Sequence, residues 1–144
     1  MPKKPELKLT LSKKLPKKDE KWRLAQWRKI NRKHNYSWNE RKYSLSAKDS
    51  AGKILGCANF KINGGVGYLK DLIVSEDSRK KGVGTLILGK FEAVCRKKNC
   101  HKLQLKTADF MARPFYERNG FVCMHTFEND CFKFRWYLME KLIG

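Results

Sequence analysis

Arg79-Lys80-Lys81-Gly82-Val83-Gly84-Thr85 stands between two segments of opposite periodicity, and that placement constrains the fold more than any other feature of the chain. The apolar run Leu69 to Val74 before it has strand character, and Thr85 to Val94 after it has helical spacing. A strand that enters a basic glycine turn and leaves as a helix builds an anion site. Glycine lets the backbone approach a ligand, and the first turn of a helix carries N–H groups without intrahelical acceptors. Those donors, the positive end of the helix dipole and three neighbouring cations suit a phosphate or pyrophosphate. Neither a Gly-x-x-x-x-Gly-Lys-Ser/Thr loop nor a three-glycine dinucleotide fingerprint occurs, which argues against both nucleotide classes.

On either side of this turn the pattern reads as mixed α/β. Leu7, Leu9 and Leu11 alternate with polar residues, so a first strand is expected in the lysine-rich residues 1–20. A helix is expected over Lys18 to Asn35, with Asp19 near its positive end and Trp22, Ala25, Gln26 and Ile30 forming an incomplete stripe. Trp22 and its neighbour Trp27 are read as core. Strands are expected over Tyr43 to Asp49, Ile54 to Asn63 and Gly67 to Ser75, joined by turns at Asp49-Ser50-Ala51-Gly52 and Asn63-Gly64-Gly65. This antiparallel meander delivers the chain to the glycine turn. A helix over residues 83 to 98 follows, then a strand over Lys102 to Lys106 and a short helix over Ala112 to Asn119. Phe121 to Thr126 and Phe132 to Leu138 read as a closing antiparallel pair.

Composition limits the alternatives. With 144 residues, the expectation is one domain, 1–144, around a single core. No apolar run approaches the ~18 residues of a membrane span, and Met1-Pro2-Lys3-Lys4-Pro5 has no apolar leader core, so a cytoplasmic protein without membrane contact is expected. The five cysteines (Cys57, Cys95, Cys100, Cys123, Cys131) form no Cys-x-x-Cys pair and read as reduced thiols in the core. With His34, His101 and His125 set apart from any pair, no metal site is expected. The formal charge of +19 attracts polyanions, so a nucleic acid or a phosphate-rich ligand is a natural partner; lysines occur along the whole chain rather than in one tail.

Two segments carry a family resemblance. Leu72-Ile73-Val74 followed by Arg79-Lys80-Lys81-Gly82-Val83-Gly84 resembles the acyl-CoA-binding motif of the GNAT N-acetyltransferase superfamily. About thirty residues on, Ala112-Arg113-Pro114-Phe115-Tyr116-Glu117-Arg118-Asn119-Gly120-Phe121 is similar to that superfamily's second signature. The resemblance implies a mixed, mostly antiparallel splayed sheet flanked by helices, with a central β-α-β unit. It also implies acetyl-CoA as co-substrate and transfer to an amine, on a small molecule or a protein, in a ternary complex. The backbone of Leu72, Ile73 and Val74 would hold the pantetheine arm as an added strand would. The amides from Lys80 through Gly82, Val83 and Gly84 to Thr85 would cradle the pyrophosphate, with Arg79, Lys80 and Lys81 adding charge.

The resemblance implies Tyr116 as proton donor to the departing thiolate, and an unperturbed phenol is protonated at neutral pH. Asp71 is the candidate base, with Glu117 and Glu128 as weaker ones. By alternation Asp71 should share a face with Leu69 and Ile73, opposite Leu72 and Val74, unless a bulge intervenes. Asp109 stands where many relatives place an asparagine against the cofactor arm, and Met111 replaces a polar residue of one subgroup. A monomer or homodimer is expected. The competing class is a CoA-binding or nucleic-acid-associated basic protein with little turnover.

Overall fold

The computed structural model describes residues 6–144 and divides into two compact units, Met1–Trp38 and Asn39–Gly144. In the first, residues 6–16 have no regular structure and α1 runs over Lys17–Lys33. Its charge follows the dipole, with Asp19 and Glu20 in the first turn and Arg32 and Lys33 in the last. The strand expected around Leu7, Leu9 and Leu11 is absent, and these leucines are largely exposed. Alternation alone does not make a strand: the ladder needs a hydrogen-bonding neighbour, and the described residues of this unit form only a helix. The core role expected of Trp22 and Trp27 is also not found, because α1 buries no residue. Five positions apart, the two indoles lie about 140° apart around the helix and share no face.

The second unit is built on a six-stranded sheet in the order β1-β2-β3-β4-β6-β5. The strands are β1 (Arg41–Lys48), β2 (Ile54–Asn63), β3 (Val66–Val74), β4 (Lys102–Ala108), β5 (Val122–Phe127) and β6 (Trp136–Leu142). The helices are α2 (Val83–Lys97) and α3 (Arg113–Arg118). All neighbouring strands run antiparallel except β3 and β4, which α2 joins as a parallel crossover. Asp49 shapes the first hairpin by accepting hydrogen bonds from the N–H groups of Ala51 and Lys53, both at 2.9 Å. Helix α2 buries Ile87, Leu88, Phe91 and Cys95, a spacing that keeps all four on one face. They meet Phe60, Leu103, Leu105 and Met139 from the sheet, with the rings of Phe60 and Phe91 edge to face at 4.9 Å.

Two features of this sheet prepare the site. Asn59 pairs with Asp71 and Phe60 with Leu69, so Lys70 is an extra residue bulged from β3. The bulge exchanges the faces of the strand. Leu72 and Val74 pack toward the core with Leu69, whereas Asp71 and Ile73 are exposed. Asp71 therefore shares a face with Ile73 but not with Leu69, correcting the plain alternation. In addition, β3 and β4 pair only from Val66↔Lys102 to Leu69↔Leu105. Beyond that point β3 stays with β2 as far as Val74, and β4 stays with β6 as far as Ala108, so the two splay apart.

Two further expectations change. Strand β6 begins at Trp136 rather than Phe132, because Cys131–Lys133 forms a 3₁₀ turn in which Phe132 (φ 57°) and Lys133 (φ 64°) are left-handed. Among the cysteines only Cys95 and Cys100 are buried; Cys57 and Cys123 are half-buried and Cys131 is exposed on that turn.

Candidate active site

Where β3 and β4 separate, a cleft of about 940 Å³ opens. One wall is the strand segment Asp71, Leu72, Ile73 and Val74, continued by Arg79 and Lys80. The start of α2 closes one end with Gly82, Val83, Gly84 and Thr85. Leu105, Lys106 and Thr107 form the opposite wall, and Phe110, Met111, Phe115 and Tyr116 cover it.

The helix end is built to leave donors free. Gly82 is the N-cap at φ 81°, and no side chain caps the helix. The first helical bond runs from the Leu86 N–H to the Gly82 carbonyl, so the amides of Val83, Gly84 and Thr85 have no intrahelical acceptor. Lys80 is also left-handed (φ 63°), and Arg79 donates from Nε to the Val74 carbonyl at 3.3 Å, tying the basic turn to the end of β3. Uncapped amides, a helix dipole and two cations in one concave wall form an anion-binding donor set.

The strand edge is free as well, apart from the Val74 carbonyl that Arg79 engages. The Ser75 N–H bonds the Leu55 carbonyl on the β2 side at 2.8 Å. By alternation the backbone groups of Ile73 and Asp71 also face β2, and those of Leu72 and Val74 face the cleft. A ligand with amide groups can add there as a further strand.

Tyr116 comes from α3, a helix held at its start by Pro114 and by the Tyr116 N–H bond to the Ala112 carbonyl. Its ring is 7% exposed and packs edge to face on Phe115 (5.2 Å) and Phe121 (5.8 Å). Burial, and then the negative charge of Asp71, push its pKa up to about 12. The phenol is a neutral proton carrier at every physiological pH. Asp71 is fixed by a cross-strand relay: the Asn59 side-chain amide donates to its two oxygens at 3.1 and 3.3 Å, and Ser44 Oγ donates to Asn59 Oδ1 at 2.6 Å.

The cleft thus brings together Asp71, Leu72, Ile73, Val74, Arg79, Lys80, Gly82, Val83, Gly84, Thr85 and Tyr116. Lys81 and Asp109 do not line it. Glu117 bonds Arg113 at 3.0 Å and Glu128 bonds Arg135 at 2.8 Å, so both weaker base candidates are engaged away from the cleft wall. Sequence reasoning missed Asn59 and Ser44, whose signal is the β2–β3 register with its bulge. It also missed Lys106, which bonds Asp130 at 2.6 Å and lies over the rings of Phe127 (4.7 Å) and Trp136 (5.6 Å). The bond to Asp130 raises the Lys106 pKa and keeps it an ammonium. Among the described residues no group of three His, Cys, Asp or Glu side chains could hold a metal, and no helix is long and apolar enough to cross a membrane.

Comparison with known proteins agrees with this geometry. The model of the acetyltransferase (GNAT) family matches residues 12–121. A glucosamine 6-phosphate N-acetyltransferase of Trypanosoma brucei brucei is 32% identical over 77 residues, which are 49% of this chain and 52% of that protein. The match therefore spans about half the length of that curated relative. An acetyltransferase from Bacillus cereus shares the fold with a TM-score of 0.75 at 20% identity, over 93% of this chain and 98% of the other. A Bacillus anthracis acetyltransferase in complex with acetyl coenzyme A does so at 0.65 and 20% identity, over 72% of this chain and 63% of that one. With a family match over well more than half its length, a mostly antiparallel splayed sheet and an uncapped helix start beside the splay, this chain belongs to the acetyltransferase (GNAT) family.

Proposed function

We propose that this chain is an N-acetyltransferase that moves an acetyl group from acetyl-CoA directly to an amine, with both bound in the cleft at once. The observation that carries this reading is the placing of free helix amides and the buried Tyr116 in one cleft. The donor set fits the cofactor. The amides of Val83, Gly84 and Thr85, with Arg79 and Lys80, would hold the diphosphate. The backbone of Leu72 and Val74 would bond the amides of the pantetheine arm, and Lys81 would add only long-range attraction. Bound acetyl-CoA supplies an acyl group already activated as a thioester.

The chain's own residues then handle protons. An amine acceptor arrives as an ammonium, and Asp71, oriented by Asn59, takes its proton directly or through one water. Tyr116 gives its phenolic proton to the sulfur as the carbon–sulfur bond breaks, and the tyrosinate is reprotonated by the second proton that the attacking nitrogen loses in becoming an amide. The two steps support each other. Burial is the main hold on the Tyr116 proton; Asp71 as an anion adds a smaller share, which is relieved once Asp71 is protonated. No covalent enzyme intermediate is required, and the Cys95 thiol is pushed up to about 12 mainly by burial, which keeps it unreactive.

The relative's substrate, an amino sugar phosphate by its name, supports a small amine carrying an anionic group. The cleft wall favours the same class, since it presents Lys70, Arg79, Lys80, Lys106 and Arg118 against the single carboxylate of Asp71. The test is acetyl-CoA-dependent thiol release across a panel of amines, with amino sugar phosphates, protein N-termini and polyamines included. Turnover with any amine, with the acetyl group recovered on nitrogen, supports the reading. Saturable acetyl-CoA binding without transfer to any member would instead favour a CoA-binding role.

A further inference from the structure

Lysines occur along the whole chain, but net positive charge is densest in its first segment. Residues 1–38 hold 13 Lys and Arg against 3 Asp and Glu, hence +10 of the total +19. Within α1 the cations are ordered. At 100° per residue, Lys17, Lys21, Arg28 and Arg32 fall within a sector of about 60°, a stripe about 22 Å long, with Lys18 and Lys29 at its margin. Neither carboxylate of the helix falls in that sector, and Glu20 is taken by Arg23.

At the C-terminal end of the stripe the chain folds back. Asn35 is left-handed (φ 58°) and the Tyr36 N–H bonds the Asn31 carbonyl at 3.1 Å. Arg28, Asn31, Arg32, Tyr36, Ser37 and Trp38 consequently line a depression of about 290 Å³. Tyr36 and Trp38 are 46% and 69% exposed, and Trp22 and Trp27 are 66% and 49% exposed. Three of the chain's four tryptophans thus sit, with open ring faces, in the unit richest in positive charge.

A cationic stripe that ends in planar aromatic faces beside two guanidiniums has the two parts of a single-strand nucleic-acid site. The cations follow the phosphates, and the rings and guanidiniums stack bases. An anionic bilayer fits less well. An interfacial helix needs one continuous apolar face, and Trp22, Leu24 and Trp27 are dispersed around α1. We propose that residues 6–38 form a binding surface for single-stranded nucleic acid, with phosphates along the Lys17–Arg32 stripe and a base against Tyr36 and Trp38. This inference is independent of acetyl transfer.

The test uses the full chain and a labelled oligouridine of about 12 nucleotides, within the span single-strand sites cover, followed by fluorescence anisotropy. With about five phosphate contacts the salt slope is about −3.5, so raising salt from about 50 to about 150 mM weakens binding about 50-fold. Arg28→Glu with Arg32→Glu should weaken binding more than about 20-fold at fixed salt. The control, Lys90→Glu with Lys97→Glu, makes the same change in net charge on the exposed side of α2 and should cost only about threefold. In the unaltered protein the oligonucleotide should quench tryptophan emission, and Trp38→Ala should remove part of that quenching. Equal losses in the two charge reversals would reduce the effect to generic attraction and overturn the proposal. So would saturation without any quenching, or a preference for phosphatidylglycerol vesicles over the oligonucleotide.

Discussion

Replacing Tyr116 with phenylalanine removes one oxygen and nothing else from the centre of the site. The ring stays between Phe115 and Phe121, and the side chain is 7% exposed, so its packing does not depend on the hydroxyl. Stability should change by no more than about 1 kcal/mol, the scale of one hydrogen-bonding group. The chemistry should suffer far more. A phenol with its pKa pushed up to about 12 is fully protonated from pH 6 to 9, so a donor at Tyr116 would always be loaded. Loss of a positioned general acid lowers kcat by about 10²- to 10⁴-fold, or about 2.7 to 5.4 kcal/mol. The assay is thiol release at saturating acetyl-CoA and amine, with acetyl-CoA affinity measured separately and expected within about threefold of wild type, since uniform binding is untouched. The same substitution has a signature that does not involve turnover. The unfolded phenol ionises near 10 and the folded one near 12, so the stability it contributes is complete below pH 10 and is lost as pH rises toward 12. Tyr116→Phe should lack that alkaline loss. A kcat within threefold of wild type would refute the role assigned to the hydroxyl.

Three other outcomes follow from particular contacts. Gly82→Val forces a β-branched residue into φ 81°, costing about 1–2 kcal/mol in a turn that must aim three amides, so acetyl-CoA affinity should fall at least tenfold by calorimetry. Gly67→Ala would place a Cβ 2.5 Å from Cys95 Sγ and 3.1 Å from Leu103 Cδ2 at the parallel β3–β4 junction. That overpacking should cost about 1–3 kcal/mol and lower Tm by several degrees, while acetyl-CoA affinity is retained wherever the variant is folded. Glu140 is held below the usual carboxylate value of 4.5 by the hydrogen bond from Lys102, against burial and with help from Gln104. Its contribution is present above pH 4.5 and lost as pH falls below it, so Glu140→Gln should flatten the acid limb of a Tm-against-pH curve.

Much of this fold could be read from local signals. The two hairpins, α2 and α3 are specified by turn residues and by periodicities within single segments, and β2 runs from Ile54 to Asn63 as its pattern indicates. The glycine turn between β3 and α2 was equally legible, because glycines at a strand–helix junction have consequences that need no distant partner. What escaped depends on partners. The three alternating leucines near the N-terminus carry a strand pattern without a neighbour to complete the ladder. The bulge at Lys70 is a property of two strands in register, and it decides the face of Asp71 as well as its bond to Asn59. Phe132 and Lys133 look like strand residues but take left-handed conformations in a turn between β5 and β6. The cluster in which Lys106 bonds Asp130 among aromatic rings joins residues from three separate segments and leaves no motif.

The most direct test is a thermal titration with acetyl-CoA, run beside ATP as a polyanion of comparable charge and repeated at raised salt. A ligand that binds the native state raises Tm, by about 2.7 kcal/mol of added stability at a hundredfold excess over Kd. A saturable rise with acetyl-CoA that persists in salt and exceeds that with ATP is the predicted result, because in the proposed binding mode the strand edge at Leu72 and Val74 would add recognition of the amide arm to that of the phosphates. Equal shifts with both ligands, abolished together by salt, would mean that the start of α2 is a generic anion site and would contradict the account.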